Sequence, residues 1–365
     1  MTPLTIKFIH TADLHLGSTF NNASFPRNIA KNRREEMWDT FFDIIQLAKK
    51  ESANFLFISG DLFEDHLITI GQVKRINEAF KSIPETNVII SPGNHDYHWG
   101  RSPYKKIEWN SNVTIFKTRE LTKVSFPELQ TNVYGFAWTT KYIEEPFTFD
   151  LGELDGSQEN ILLLHGDVYN KNSQYLPIDR DYLAAFPFQY IALGHIHKQD
   201  EIQKNMRYAG SPEPLDFGEV GNRGVLIGEI DVHRLQVQFV PMAKREFFIK
   251  EVECTPEMTY EEILYKLCRF KDRKNLYRIL LKGFRDSDIN IEQLIEEATK
   301  EFYYVEINDS TRPDYDLEKI YLENKDNIIG MFIDEMKRLD LEEQKNKDAL
   351  YLGLEALLKE SEPCI

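Results

Sequence analysis

Five short apolar runs in this 365-residue chain are each followed at once by residues that can ligate metals. Ile6–His10 leads into Asp13-Leu14-His15, Phe55–Ile58 into Gly60-Asp61, and Val88–Ile90 into Gly93-Asn94-His95-Asp96. Ile161–Leu164 leads into His165-Gly166-Asp167, and Tyr190–Leu193 into Gly194-His195-Ile196-His197. If the runs are strands of a layered α/β core, their carboxyl ends share an edge, where such sheets bind ligands. That edge then holds two carboxylates (Asp13 and Asp61), Asn94 and up to five histidines. Carboxylate oxygen with neutral imidazole suits Mn, Fe or Zn; a soft thiolate site needs cysteines that these segments lack. One ion cannot use so many ligands once water is counted. Two divalent ions sharing a bridging carboxylate can, and such a pair, ~4 Å apart, clamps the attacking and leaving oxygens of a phosphoryl transfer.

The runs show little alternation, as expected of strands buried on both faces. Between them, Trp38, Phe41, Phe42 and Ile45 recur on one face of a helix over Arg33–Lys49, and Val73, Ile76 and Phe80 on the next helix. The fold class is therefore α/β, a layered sandwich. Glycines 60, 93, 166 and 194 fit tight turns where backbone must approach the ions. Hydrophobic residues at 42% allow a packed core. A net charge of -16 argues against coating nucleic acid by bulk attraction. Cys254, Cys268 and Cys364 lack any Cys-x-x-Cys spacing, which excludes a disulfide framework and fits a reducing cytosol. No apolar run approaches the ~20 residues that span a bilayer, and no signal peptide precedes the first strand. A cytoplasmic protein away from membranes is expected.

All nine histidines lie within residues 1–245, which carry 31 acidic and 26 basic side chains; residues 246–365 carry 29 and 18. This sets a boundary between a metal-binding domain over 1–245 and an acidic, helix-prone remainder. Residues 246–312 read as a small α/β cap, with strands at Phe247–Glu253, Tyr277–Leu281 and Tyr303–Ile307 and helices at Tyr260–Phe270 and Ile291–Lys300. Residues 313–365 read as C-terminal helices. Their apolar stripes, Ile328–Met336 and Leu350–Leu358, flank the charged stretch Arg338–Lys347 and suit helix-in-groove recognition of a partner.

The motifs Asp13-x-His15, Gly60-Asp61, Gly93-Asn94-His95-Asp96, His165-Gly166 and Gly194-His195-x-His197 occur in the order found in the calcineurin-like metallophosphoesterases, which the chain resembles. His15-Leu16-Gly17, Leu193–Lys198 and the stretch Tyr208–Glu219 further resemble the SbcD-type DNA-repair exonuclease subunits, and among them the YhaO-like branch. That resemblance covers about residues 4–245. It implies that Asp13, His15, Asp61 and His197 hold one ion and Asp61, Asn94, His165 and His195 the other. His95 would face the scissile phosphate, and manganese would be the usual metal. It also implies a DNA substrate and an SbcC-like ABC-type ATPase partner for the C-terminal helices; failing that, a homodimer.

One departure stands out. Many SbcD-type nucleases carry a second histidine three positions after the bridging aspartate; here the residue is Glu64, followed by Asp65 and His66. Glu64 is expected to hold His95 in a productive tautomer. His66 either replaces the missing histidine or is a surface residue. His10 lies within a strand and reads as core, whereas His233 sits in a hairpin turn without a role. His98, Trp99, Arg101, Tyr104, Lys105 and Lys106 form a loop that either grips phosphate and stacks a base or is simply solvated, and Arg33 and Arg34 pose the same choice. The leading expectation is a two-metal phosphodiesterase hydrolysing DNA. The alternatives are a phosphatase or small-molecule phosphodiesterase not acting on DNA, and a non-catalytic binding subunit.

Overall fold

A computed structural model describes residues 5–20, 25–149, 154–231, 234–341 and 343–361. His233 and Cys364 lie outside these. The chain divides into two compact units, Met1–Phe247 and Phe248–Ile365.

Along the first unit run β1 (Ile6–Thr11), α1 (Arg27–Lys50), β2 (Phe55–Ile58), α2 (Ile70–Lys81), β3 (Asn87–Ile90), β4 (Val113–Ile115), β5 (Thr122–Phe126) and β6 (Thr131–Gly135). Then follow β7 (Glu159–His165), α3 (Arg180–Ala184), β8 (Tyr190–Gly194), β9 (Asp200–Gln203), β10 (Met206–Tyr208), β11 (Gly224–Asp231) and β12 (Arg234–Pro241). Two six-stranded sheets form, ordered β12-β11-β1-β2-β3-β4 and β5-β6-β7-β8-β10-β9. The strands that precede the ligand motifs are parallel neighbours: β1, β2 and β3 in one sheet, β7 and β8 in the other.

Side chains of each sheet alternate between a shared inner apolar layer and an outer one. Phe8, Phe55, Phe57 and Ile89 meet Ile161, Leu163, Tyr190 and Ala192 between the sheets. Ile9, Leu56, Ile58, Val88 and Ile90 face outward onto Phe41, Ile44 and Ile45 of α1 and Val73, Ile76 and Phe80 of α2. Leu162, Leu164, Ile191 and Leu193 cover the outer face of the second sheet with Trp138, Leu183 and Phe188. Each fully buried side chain of this size contributes about 1.5–3 kcal/mol, so the interior holds the five ligand-bearing strands in fixed register. α2 starts on a capping box in which Thr69 and Gln72 satisfy each other's backbone, ending the Asp61–Ile68 loop at a defined point.

One sequence expectation is corrected here, and one open choice is resolved. The first helix begins at Arg27 rather than Arg33, because Ile29 and Arg33 themselves pack inward. Arg33 is fully buried between Glu36 (2.5 Å) and Glu213 (2.6 Å), so it is unavailable to substrate.

The second unit contains β13 (Phe247–Cys254), which starts at the boundary, then α4 (Tyr260–Cys268), β14 (Leu276–Asp286), α5 (Ile291–Thr299), β15 (Tyr304–Asp309) and β16 (Arg312–Asp314). It closes with α6 (Leu317–Glu323), α7 (Ile328–Met336) and α8 (Gln344–Ser361). The two C-terminal stripes, expected to offer spare surface, are in large part buried on each other. Ile329, Ile333 and Met336 are buried on Leu350 and Leu354, and Tyr351 packs on Phe284 of β14. Part of the charged stretch expected to link them already belongs to α8. Within the same stretches Ile328, Met331 and Leu352 are exposed, as is Leu322 of α6.

Candidate metal centre

The carboxyl ends of β1, β2, β3, β7 and β8 deliver their side chains to one place. The turns that do so are tight. Asp13, His15, Asp61 and His195 all have positive φ (53°, 46°, 52° and 101°), a conformation that costs a non-glycine residue about 1–2 kcal/mol. Gly60 has φ +87°, and a Cβ there would lie 2.2 Å from His165 Nδ1. A Cβ on Gly194 would lie 1.8 Å from the Ser59 carbonyl. Both positions exclude a side chain: the loop closes onto His165 at Gly60 and onto the Ser59 carbonyl at Gly194.

Each inner imidazole is oriented by a partner on its far nitrogen. His165 Nδ1–H donates to the Ser59 carbonyl (2.9 Å), so the neutral ring turns a lone pair on Nε2 inward. That atom lies 2.9 Å from Asn94 Oδ1 and 3.2 Å from Asp61 Oδ2, both acceptors. His15 Nδ1 pairs with Glu64 Oε1 (2.7 Å) and His197 Nδ1 with Glu219 Oε1 (2.5 Å). Their Nε2 atoms therefore face each other at 3.2 Å, and His15 Nε2 is 3.8 Å from Asp61 Oδ2. Acceptors converging on acceptors require a cation or a proton between them. Two ligands ~2.1 Å from a common ion stand ~3.0 Å apart at an octahedral angle and ~3.4 Å at a tetrahedral one, so the donor set fits a metal. Asp13, His15 and His197 form one group of ligand atoms within 4.8 Å, and Asp13, Asp61 and His165 another. His195 stacks edge-on to His165 (5.3 Å between ring centroids), and its backbone N–H donates to Asp13 Oδ1 (3.1 Å); its imidazole belongs to neither group.

Protonation follows this crowding. Burial alone would raise Asp61, but His165, His15 and His95 hold it far below the usual carboxylate range. At Asp13 burial wins over the same kind of neighbours and the carboxyl stays raised. Burial opposes charge on His165 and His197, yet Asp61 on one and Glu219 on the other push both up to about 9. Burial and the neighbouring His165 lower His195 to about 3, which keeps it neutral. A metal competes with the protons of His165 and His197.

Glu64 orients two rings, not one. Beside its bond to His15, its Oε2 pairs with His95 Nδ1 at 2.9 Å, and the carboxylate is drawn down to about 2 against its burial. The side chain of His95 is 40% exposed, and its backbone N–H donates to Asp61 Oδ1 (2.8 Å). Two further carboxylates went unassigned from sequence. Glu219, 22 residues beyond His197, also accepts from Ser211 Oγ (2.8 Å). Asp96 accepts from the backbone N–H of Gly93 (2.6 Å), Asp61 (3.2 Å) and Leu62 (2.8 Å) and from the Tyr104 hydroxyl (2.7 Å). It ties two ligand loops together, and burial beside Asp61 raises it to about 6. Its place at the end of Asn94-His95-Asp96 was a usable signal; nothing in spacing marked Glu219.

The remaining candidates separate cleanly. His66 is exposed, its side chain at 72%, and His10 is buried against the Tyr190 hydroxyl (2.8 Å). Tyr104 is buried on Asp96 and cannot stack a base, and His98 is buried with Nδ1 on the Lys117 carbonyl. Arg101, Lys105 and Lys106 are exposed.

Comparison with known proteins agrees with this geometry. Residues 6–199 match the calcineurin-like phosphoesterase family. The uncharacterized metallophosphoesterase YhaO of Bacillus subtilis (strain 168) is 27% identical over 250 residues, covering 66% of this chain and 60% of that protein. The DNA double-strand break repair protein Mre11 of Methanocaldococcus jannaschii is 25% identical, covering 76% of this chain and 77% of its own. A component of the nuclease SbcCD from Staphylococcus epidermidis is 24% identical, covering 76% of this chain and 79% of its own. With a metal-competent cluster at the strand ends and over half its length matched, the chain belongs to the calcineurin-like phosphoesterases.

Proposed function

We propose that this chain is a two-metal phosphodiesterase that hydrolyses DNA phosphodiester bonds. The observation that carries the reading is the convergence of imidazole nitrogens and carboxylate oxygens on both sides of Asp61, with His95 beside them and paired through Nδ1 with Glu64. In this reading Asp13, His15, Asp61 and His197 hold one ion, and Asp61, Asn94, His165 and His195 the other; manganese is the proposed metal, and Fe or Zn fit the same donors. The ions when bound supply Lewis acidity toward the phosphate and hydroxide at neutral pH.

The chain's own residues do the rest. Glu219 and Glu64 fix the tautomers of His197 and His15, so that each offers Nε2 inward. Glu64 also fixes His95, leaving its Nε2 edge free. Burial works against a charge on His95, but the bond to Glu64 and the nearby Asp61 raise its affinity for a proton. His95 is thus a proton donor for the leaving oxygen. The relatives named for double-strand break repair and for the nuclease SbcCD support DNA as substrate; an ABC-type coiled-coil ATPase partner and a cytoplasmic location belong to the same proposal. The net charge of -16 favours the second reading, a small phosphodiester or phosphomonoester substrate. Hydrolysis of labelled single- and double-stranded DNA is to be compared with hydrolysis of bis-p-nitrophenyl phosphate, in manganese, for the wild type and Asn94→Ala. Cleavage of DNA that Asn94→Ala abolishes supports the proposal. Cleavage of the small ester alone selects the second reading.

A further inference from the structure

Next to the metal centre, on the His195 side, lies an aromatic pair that the chemistry above does not use. The ring of Tyr175 sits 5.0 Å from the His195 imidazole, tilted by 37°. Tyr142 continues outward, its ring 5.8 Å from that of Tyr175 at 42°. Tyr142 is 48% exposed although it is a large apolar ring, and the Lys141 ammonium stands 5.6 Å from its centroid. Neither phenol hydroxyl has a hydrogen-bond partner among the described residues, so the rings are not held there for their polar ends.

The backbone beneath is rigid. Residues 143 and 175 form a parallel bridge, with Ile143 N–H donating to the Gln174 carbonyl (3.0 Å) and Leu176 N–H to the Ile143 carbonyl (2.8 Å). Leu176, buried in the outer core of the second sheet, has φ 53°, a conformation that a bulky residue adopts only when its surroundings impose it. The segment also bonds to Asp167, two residues after the ligand His165, through Asp167 N–H to the Leu176 carbonyl (3.0 Å). The two rings are therefore carried on the same framework as the metal ligands.

We propose that Tyr142 and Tyr175 form a stacking shelf for the base of an unpaired nucleotide adjoining the scissile phosphate, with Lys141 facing the flanking backbone. This deepens the phosphodiesterase reading above and rests on it: the substrate class becomes single-stranded or frayed nucleic acid. An aromatic face accepts any base, so the shelf confers a demand for an unstacked base without a sequence preference.

The test measures binding by fluorescence anisotropy in EDTA, where no hydrolysis occurs. The ligands are a labelled oligothymidylate and an oligomer of the same length built of abasic sugars. The proteins are the wild type, Tyr142→Ala, Tyr175→Leu, the Tyr175→Phe control that keeps the ring, and Trp99→Ala, whose indole is pinned to Asp65 (2.9 Å) on the His95 side. Melting temperature and manganese stoichiometry establish that each variant is folded. The wild type is expected to bind oligothymidylate about 5- to 150-fold more tightly than the abasic oligomer. Tyr142→Ala and Tyr175→Leu should lose most of that difference, Tyr175→Phe should keep it, and none should weaken binding of the abasic oligomer equally. Equal wild-type binding of the two oligomers, or a loss confined to Trp99→Ala, overturns the shelf while leaving the phosphodiesterase reading intact. No binding of either oligomer, with hydrolysis of bis-p-nitrophenyl phosphate retained, overturns the nucleic-acid reading and the shelf with it.

Discussion

Glu64→Gln is the substitution that most directly probes how the centre is built. The carboxylate now accepts two N–H bonds, from His15 Nδ1 at 2.7 Å and from His95 Nδ1 at 2.9 Å. A carboxamide has one oxygen and one NH2, so only one imidazole keeps an acceptor. The other must flip its tautomer and place the proton on Nε2. If that ring is His15, the proton lands on the nitrogen that faces His197 and Asp61, and a ligand is lost. Loss of such an orienting partner typically costs about 10- to 100-fold in metal affinity. The surviving bond also falls from charge-assisted to neutral, a loss of roughly 1–2 kcal/mol, or about 5- to 30-fold. Manganese affinity by titration calorimetry and turnover of bis-p-nitrophenyl phosphate at saturating manganese separate the two effects.

His95 supplies the control. Turnover lost through His95 cannot be lost again, so in a His95→Ala background Glu64→Gln should cost only its metal-affinity part. A coupling well above ~0.5 kcal/mol in turnover is the signature of that shared path, since independent sites add to within about that error. Wild-type manganese affinity together with turnover within about twofold in Glu64→Gln would refute the two-ring role. So would a full additive loss in the double variant.

Other outcomes follow from the same geometry. His95→Ala should lower turnover by about 100- to 10,000-fold while keeping full manganese stoichiometry by elemental analysis; loss of metal would make it a ligand instead. His165 and His197, both raised to about 9, hold protons in the metal-free protein, so manganese binding should release protons and tighten as pH rises toward 9, seen by calorimetry in buffers of different ionisation enthalpy. The sign for stability is the reverse: these raised groups stabilise the metal-free fold fully below ~6.5 and lose that contribution as pH rises through about 9, so its melting temperature should fall across that window and that of the manganese form should not. Leu354→Ala, at a fully buried site, should cost about 2–5 kcal/mol in denaturant unfolding of the helical segment, whereas Leu352→Asp, at an exposed one, should leave it within ~0.5 kcal/mol.

The strands that carry ligands were legible because burial on both faces makes them continuous apolar runs, and β1, β2, β3, β7 and β8 stand where those runs predict. β6 was not legible: Thr131–Gly135 is wholly buried yet contains Thr, Asn and Gly; Asn132 is satisfied by Ser125 and Asn160 of the neighbouring strands and Thr131 by the Leu129 carbonyl. The first turns of α1, residues 27–32, were missed because Ile29 is the one buried apolar residue among them, too little to show a periodic stripe. The C-terminal stripes are apolar as expected but in large part buried on each other, since periodicity marks a buried face without saying what buries it. The ligand motifs could be found because a metal demands particular atoms at particular strand ends. The carboxylates behind them answer only to the direction of a ring nitrogen, and any acidic residue brought within reach by the fold serves. Glu219 illustrates this, sitting in the loop after β10 with no fixed offset from His197.

The strain in the centre has the same origin. A strand end that simply continued would send its next side chains along the sheet, away from its neighbours' ligands. Turning the chain at Asp13, His15, Asp61 and His195 through positive φ aims atoms from two sheets at one volume, at about 1–2 kcal/mol each. Glycine at those four positions would relieve the strain but remove the proposed ligand. The fold therefore places glycine beside the proposed ligands, at 60, where absence of a side chain lets His165 enter, and at 194, where it lets the Ser59 carbonyl approach, and accepts strain at the proposed ligands themselves. Asp96, holding three backbone N–H groups of the two loops at once, fixes the strained turn at Asp61 in place. The outer carboxylates and the inner strain are thus two halves of one arrangement, in which the core sets where the loops start and buried hydrogen bonds set where they end.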